Sequence, residues 1–151
     1  MFELFTDNAE AVVLHARDEA VTTNCPEIEP AHMLLSILDQ DDGVARSVLL
    51  GAGVTRPLLA QELALAEPST REPGPFHNRI KDGALQYSAE SQESFQAAER
   101  QAQQSQGTKI TTEHLLLGLL EADEVQKLMT SLGTDSAALR TTVKEKLRDA
   151  G

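Results

Sequence analysis

Residues 110–120 read ITTEHLLLGLL, and residues 28–38 read IEPAHMLLSIL. The two stretches share an isoleucine at the first position, a histidine at the fifth, and leucines at the seventh, eighth and eleventh. Their offset of 82 residues also aligns Phe5 with Tyr87 without a gap, and an offset of 80 then aligns Gly53 with Gly133. Matches at this density predict that the chain contains two copies of one structural unit.

Each copy has the residue pattern of four helices. The first helix of copy one is predicted from Thr6 to about Thr23, because apolar residues recur there at helical spacing. Pro30 and Thr111 suit the starts of the two second helices, one as a first helical residue and one as an N-cap. The third helices are predicted over about 44–50 and 125–132. Glycine just after each of them suits a left-handed C-terminal turn.

The fold class that follows is all-α, with two pseudosymmetric four-helix repeats (about eight helices) packed as one compact domain. Repeat one is predicted over about residues 5–65 and repeat two over about 87–149. A proline-rich connector, about residues 66–78, separates them. Each repeat alone is small, so we expect the two to share a core about a pseudo-twofold axis.

Composition restricts the classes of partner. The 151 residues carry a formal charge of −11 and no run of basic residues, which argues against nucleic acid and favours basic or arginine-bearing partners. No apolar run is long enough to span a bilayer, and the first residues do not resemble a signal peptide. A single cysteine, Cys25, fits a reducing compartment. These features predict a cytoplasmic protein without a membrane partner.

These stretches resemble the Clp N-terminal domain, the double Clp repeat that precedes the ATPase rings of ClpC-type unfoldases. The family phrase Ile-Gly-Thr-Glu-His-Ile-Leu-Leu-Gly-Leu is close to residues 110–119 and looser over residues 28–37, and the opening MFELFT is also similar. The resemblance implies a non-catalytic module that receives substrates and adaptors for a ClpC-type ATPase. The sequence contains no GxxxxGK[ST] phosphate loop. We therefore expect no enzyme activity and no cofactor. The chain is interpreted either as an excised N-domain or as a stand-alone adaptor or decoy, and Ala31 in copy one favours the second interpretation.

Some members of the family recognise phosphorylated arginine, and the resemblance implies where. In copy two, Glu113 would hold the guanidinium, while Ser88 and the adjoining helix start would meet the phosphate. Copy one keeps Thr6 but has Ala31 in place of the glutamate, so its site is expected to be inactive. The alternative is that Glu113 is only a first-turn acid favoured by the helix dipole.

Three aromatic residues, Phe2, Phe5 and Tyr87, mark the starts of the repeats. The resemblance implies a peptide or adaptor surface there, and the alternative is that Phe5 and Tyr87 anchor the core. Cyclic-peptide antibiotics target this domain in actinobacterial relatives. Sequestration of such peptides is therefore the second functional hypothesis.

The remaining polar residues predict no catalytic group and no metal site. His32 and His114 occupy equivalent positions, and a structural hydrogen bond at each helix start is favoured over a paired metal site. His15 and His77 have no companions that suggest catalysis, and Cys25 is interpreted as an unreactive small residue. The acidic run of Asp39, Asp41 and Asp42 predicts a solvated loop.

Overall fold

The computed structural model describes residues 5–22, 27–40, 43–66, 86–104 and 109–150. Phe2, Cys25, His77, Asp41, Asp42 and most of the predicted connector lie outside these ranges. Within them the chain forms eight helices, which confirms the all-α prediction. The helices are α1 (Asp7–Thr22), α2 (Pro30–Leu38), α3 (Val44–Gly51), α4 (Arg56–Ala66), α5 (Ala89–Gln104), α6 (Thr112–Leu119), α7 (Asp123–Ser131) and α8 (Ser136–Ala150).

Local side-chain chemistry sets most of the helix boundaries. The Thr6 hydroxyl accepts a hydrogen bond from the Ala9 amide (3.2 Å), which satisfies one of the unpaired donors at the start of α1. At the ends of α3 and α7, Gly53 and Gly133 have φ of 86° and 79°, as predicted. Helix α7 begins at Asp123, two residues before the predicted start. The helix dipole favours the two acids of this first turn, Asp123 and Glu124.

The second helix of each repeat forms the centre of the core. Every residue of α2 is buried, and so is every residue of α6 except Glu113. Helices α1 and α5 pack against them through small residues. At Gly118 the backbones of α5 and α6 approach so closely that an added Cβ would lie 2.8 Å from the Ala98 nitrogen. None of the described helices is both long enough and apolar enough to cross a membrane.

The two repeats meet through a pair of crossed backbone contacts. Phe5 forms an isolated parallel bridge with Ile110, and Ile28 forms another with Tyr87. The Thr6 amide donates to the Ile110 carbonyl (3.0 Å), and the Ser88 amide donates to the Ile28 carbonyl (2.9 Å). Exchanging the repeats converts one bridge into the other, so the packing is pseudo-twofold as expected. The start of each first helix therefore lies beside the second helix of the other repeat.

Candidate functional site

A groove of about 460 Å³ lies where the start of α1 meets the start of α6, and we call it the junction groove. Its walls come from both repeats. The lining residues are Thr6, Asn8, Asp39, Gln40, Gly43, Thr111, Thr112 and Glu113. Two helix N-termini, each a region of partial positive charge, therefore border the same space as two carboxylates. Such a groove has groups for both an anionic and a cationic part of one ligand.

Glu113 owes its position to the capping of α6. The Thr111 hydroxyl accepts from the His114 amide (3.2 Å), and the His114 Nδ1 accepts from the Thr111 amide (3.1 Å). This reciprocal pair fixes the first turn, turns the imidazole inward and leaves Glu113 half-buried at the groove. Burial lowers the pKa of His114, and the neighbouring Glu113 carboxylate opposes that shift.

His32 performs the same capping task in repeat one. Its Nδ1 accepts from the Glu29 amide at 2.8 Å, at the start of α2. The prediction of structural hydrogen bonds for the two equivalent histidines is thus confirmed. One difference follows from the sequence: the residue before His32 is Ala31, which is buried, where repeat two has the half-buried Glu113.

Ser88 does not line the junction groove and lies at the other crossed contact instead. It is buried, its Oγ accepts from the Ser91 amide (3.1 Å), and Ser91 donates to the Ile28 carbonyl (2.7 Å). The sequence-based interpretation paired Glu113 with the hydroxyl of its own repeat. In the structure Glu113 shares its groove with Thr6, because each second helix meets the first helix of the other copy. No pattern within a single repeat reveals that exchange.

Two of the three aromatic residues, Phe5 and Tyr87, lie in the described part of the chain. Phe5 is buried in the core and contacts Phe95 edge to face, with ring centroids 6.1 Å apart. Tyr87 is half-buried, contacts the same Phe95 ring at 5.2 Å, and donates from its hydroxyl to the Val13 carbonyl (3.0 Å). Its burial raises the pKa of Tyr87. For Phe5 the structure agrees with the alternative interpretation, a core anchor where the repeats meet.

A second and larger groove, of about 740 Å³, was not foreseen from the sequence. We call it the acidic groove, since its carboxylates outnumber its two cationic side chains, Arg100 and Lys127. The carboxylates are those of Glu29, Glu62, Glu90, Glu93, Glu121, Asp123 and Glu124. They come from both repeats, and close neighbours in sequence occur only within residues 90–93 and 121–124, so no single acidic run identifies the whole set. A groove of this charge complements basic or arginine-bearing segments.

Known proteins share this sequence pattern over nearly the whole chain. The family described as "Clp repeat (R) N-terminal domain" matches residues 4–124 and 86–150. The ClpB chaperone of Mycobacterium bovis is 31% identical over 143 residues, which are 89% of this chain and 15% of that protein. The ATP-binding subunit ClpC of the Clp protease from Staphylococcus epidermidis is 27% identical over 124 residues, 82% of this chain and 14% of its own length. The chain thus spans about one seventh of these relatives.

Solved structures share the fold. The N-terminal domain of the chaperone ClpD from Arabidopsis thaliana superposes with a TM-score of 0.74 and 21% identity, covering 98% of this chain and 97% of that one. The N-domain of ClpV from Vibrio cholerae gives a TM-score of 0.71 and 18% identity, covering 98% and 87%. The two four-helix repeats, the capped second helices and the family match all support the same assignment. The chain belongs to the Clp repeat N-terminal domain family.

Proposed function

We propose that the chain is a non-catalytic binding module that acts as an adaptor or decoy for a ClpC-type protease chaperone in the cytoplasm. Its ligand would be an arginine-phosphorylated protein segment bound in the junction groove. The observation that carries the proposal is the position of Glu113. It is the one residue of α6 that is not buried, and it lies in a groove that two helix N-termini also border.

The chemistry of this groove suits a phosphorylated arginine. The Glu113 carboxylate can pair with the guanidinium through charge-assisted hydrogen bonds. The α1 start, with the Thr6 hydroxyl and the amides of the first turn, can receive the phosphate. The acidic groove shares no lining residue with the junction groove, and its charge would attract basic parts of the bound protein. We expect one site per chain, because the other crossed contact has the buried Ala31 at the position equivalent to Glu113.

The direct test is titration of the whole chain with phosphoarginine, followed by calorimetry. We expect a single site that Glu113→Gln weakens about ten- to hundredfold, since losing a charge-assisted partner costs roughly 1.5–3 kcal/mol. Glu93→Gln, in the acidic groove, is the matched control and should leave the affinity for this small ligand unchanged. Two equal sites, or an affinity that Glu113→Gln does not change, would contradict the proposal.

A second comparison tests whether Glu113 acts together with Thr6, as the junction groove suggests, or with Ser88, as the sequence of repeat two suggested. Thr6→Ala should weaken phosphoarginine binding, whereas Ser88→Ala should leave it unchanged in protein that still shows native circular dichroism. The opposite result would place the phosphate at the other crossed contact. Introducing Glu at position 31 is not expected to restore a second site, because the Ala31 side chain is buried and a carboxylate there would be desolvated.

Sequestration of cyclic peptides is the alternative function. It rests on the resemblance to relatives that cyclic peptides target, and the burial of Phe5 leaves less aromatic surface at the repeat starts for such a peptide. Pull-down with a ClpC-type ATPase distinguishes the two hypotheses. An adaptor or decoy retains the ATPase or its substrates, whereas a sequestering protein retains the peptide and leaves the ATPase in solution.

A further inference from the structure

A group of acids surrounds one histidine on repeat one, on the face of α1 that meets the end of α2. The His15 Nε2 lies 2.9 Å from Asp39 Oδ2 and 3.9 Å from Glu19 Oε1, and its Nδ1 lies 3.4 Å from Asp18 Oδ2. Positions 15, 18 and 19 share one helix face at spacings of three and four. Asp39 follows α2 as its C-cap and is exposed, in agreement with the solvated position predicted from the sequence.

The negative charge of this cluster exceeds the positive charge that its side chains can supply. An imidazolium has two N–H groups and can donate to two carboxylates, but together with Arg56 it brings two positive charges against three negative ones. Three carboxylates close together also repel one another. A divalent cation between His15 and Asp39 would offset more of that repulsion than a proton does.

In repeat two, a positively charged side chain, Arg100, lies at the position equivalent to this cluster. Its positions corresponding to His15, Asp18 and Asp39 are Ala97, Arg100 and Glu121. There the Arg100 guanidinium lies 3.8 Å from the Glu121 carboxylate, so a permanent positive charge joins the first helix to the end of the second. Repeat one has acids and an imidazole in place of that pair.

The donor atoms have a spacing that a single ion can bridge. One ligand atom each from His15, Glu19 and Asp39 lie within 4.8 Å of one another. Two ligands bound to one zinc ion at about 2.0–2.1 Å lie roughly 3.3 Å apart, so small side-chain rotations suffice. Asp18 at Nδ1 would hold the N–H on that nitrogen and direct the Nε2 lone pair inward, as carboxylates commonly do behind metal-bound histidines.

Arg56 pairs with Glu19, the third of these donor residues. Its Nη2 lies 2.6 Å and 2.8 Å from the two oxygens of the buried Glu19 carboxylate. Glu19 would therefore share its charge between the guanidinium and the ion, and it is the weakest of the three donors. From this set of one imidazole and two carboxylates, we propose that His15, Asp39 and Glu19 bind a divalent transition-metal ion of the Zn²⁺ class, with water completing its coordination.

The test uses Co²⁺ as a spectroscopic substitute for Zn²⁺ on the whole chain. We expect one equivalent of Co²⁺ to give visible absorption bands, and Zn²⁺ to displace it. His15→Gln and Asp39→Asn should each weaken binding by more than about tenfold, because loss of a partner that only orients a ligand already costs about 10- to 100-fold. Asp18→Asn should have the smaller of these effects. His15 and Asp39 are both well exposed, so these variants are expected to fold.

Glu121→Gln is the matched control, since it changes the equivalent acid of repeat two, and it should bind Co²⁺ as the unmodified chain does. The proposal is overturned if the unmodified chain shows no saturable Co²⁺ binding, or if His15→Gln binds Co²⁺ as tightly as the unmodified chain. Absence of saturable binding would mean that the cluster is only a solvated imidazole among acids. Unchanged binding in His15→Gln would mean that Co²⁺ binds adventitiously elsewhere on the chain. Phosphoarginine titration of His15→Gln reports separately on the junction groove, because His15 does not line that groove whereas Asp39 does.

Discussion

At the scale of the residue, Gly118 decides how closely α5 and α6 can pack. A Cβ at this position would collide with the Ser94 carbonyl and lie 2.8 Å from the Ala98 nitrogen, and backbone atoms of a packed helix cannot move aside cheaply. Gly118→Ala is expected to lower the free energy of unfolding by about 1–3 kcal/mol, as overpacking of cores does. Urea denaturation followed by circular dichroism measures the change.

Gly51→Ala supplies the comparison for that variant. An added Cβ at Gly51 meets nothing within 4 Å, and the residue ends α3 in helical conformation. Alanine there should be neutral or stabilising by up to about 1 kcal/mol, since glycine is the poorer helix former. A Gly118→Ala protein as stable as Gly51→Ala would show that α5 and α6 can move apart without loss of stability.

Repeat one has Ser36 at the position equivalent to Gly118. The Ser36 hydroxyl donates to the Val12 carbonyl (2.7 Å).

At the scale of the element, the start of α6 is expected to depend on pH. Burial lowers the pKa of His114 in the folded chain, so the unfolded chain takes up the proton first as the pH falls. The contribution of the neutral imidazole to stability is therefore fully present above about pH 6.5 and is lost on acidification below it. The His114 Nε2 is buried without a hydrogen-bond partner in the described part of the chain, and the Glu113 carboxylate offsets only part of the cost of charging the ring.

His114→Asn isolates this effect, because the asparagine oxygen can still accept from the Thr111 amide but the side chain does not titrate. Urea unfolding between pH 7.5 and pH 5 should show a steeper loss of stability for the unmodified chain than for this variant. Equal slopes would mean that His114 is protonated alike in the folded and unfolded states.

The same helix shows what sequence reasoning can and cannot reach. The sequence predicted the roles of four residues at helix ends, because caps and terminal turns depend on residues within a few positions of one another; these are Thr111, Pro30, Gly53 and Gly133. Glu113 was singled out by the family phrase that contains it. Its neighbour across the groove, Thr6, was not predicted, because the identity of that neighbour depends on how the two repeats pack. For the same reason the contact of Asp39 with His15 was invisible in a sequence where they lie 24 positions apart.

At the scale of the whole molecule, the crossed contacts make each repeat dependent on the other. Phe5 and Tyr87 both contact Phe95, and Tyr87 also bonds to Val13 of the other repeat. Fragments 1–67 and 78–151 should therefore each lack a cooperative thermal transition. When mixed, they should recover the circular dichroism of the intact chain. A fragment that alone melts cooperatively near the Tm of the intact chain would show that the repeats are independent folding units.

The crossing of the two repeats also has a consequence for how the molecule can diversify. Each wall of the junction groove is encoded in a different half of the gene, so neither half carries the complete groove. A codon change such as the one that distinguishes Ala31 from Glu113 alters one junction while its twin keeps its chemistry. A duplicated unit packed in this way holds two spaces whose chemistry can diverge independently, even though every helix has a counterpart.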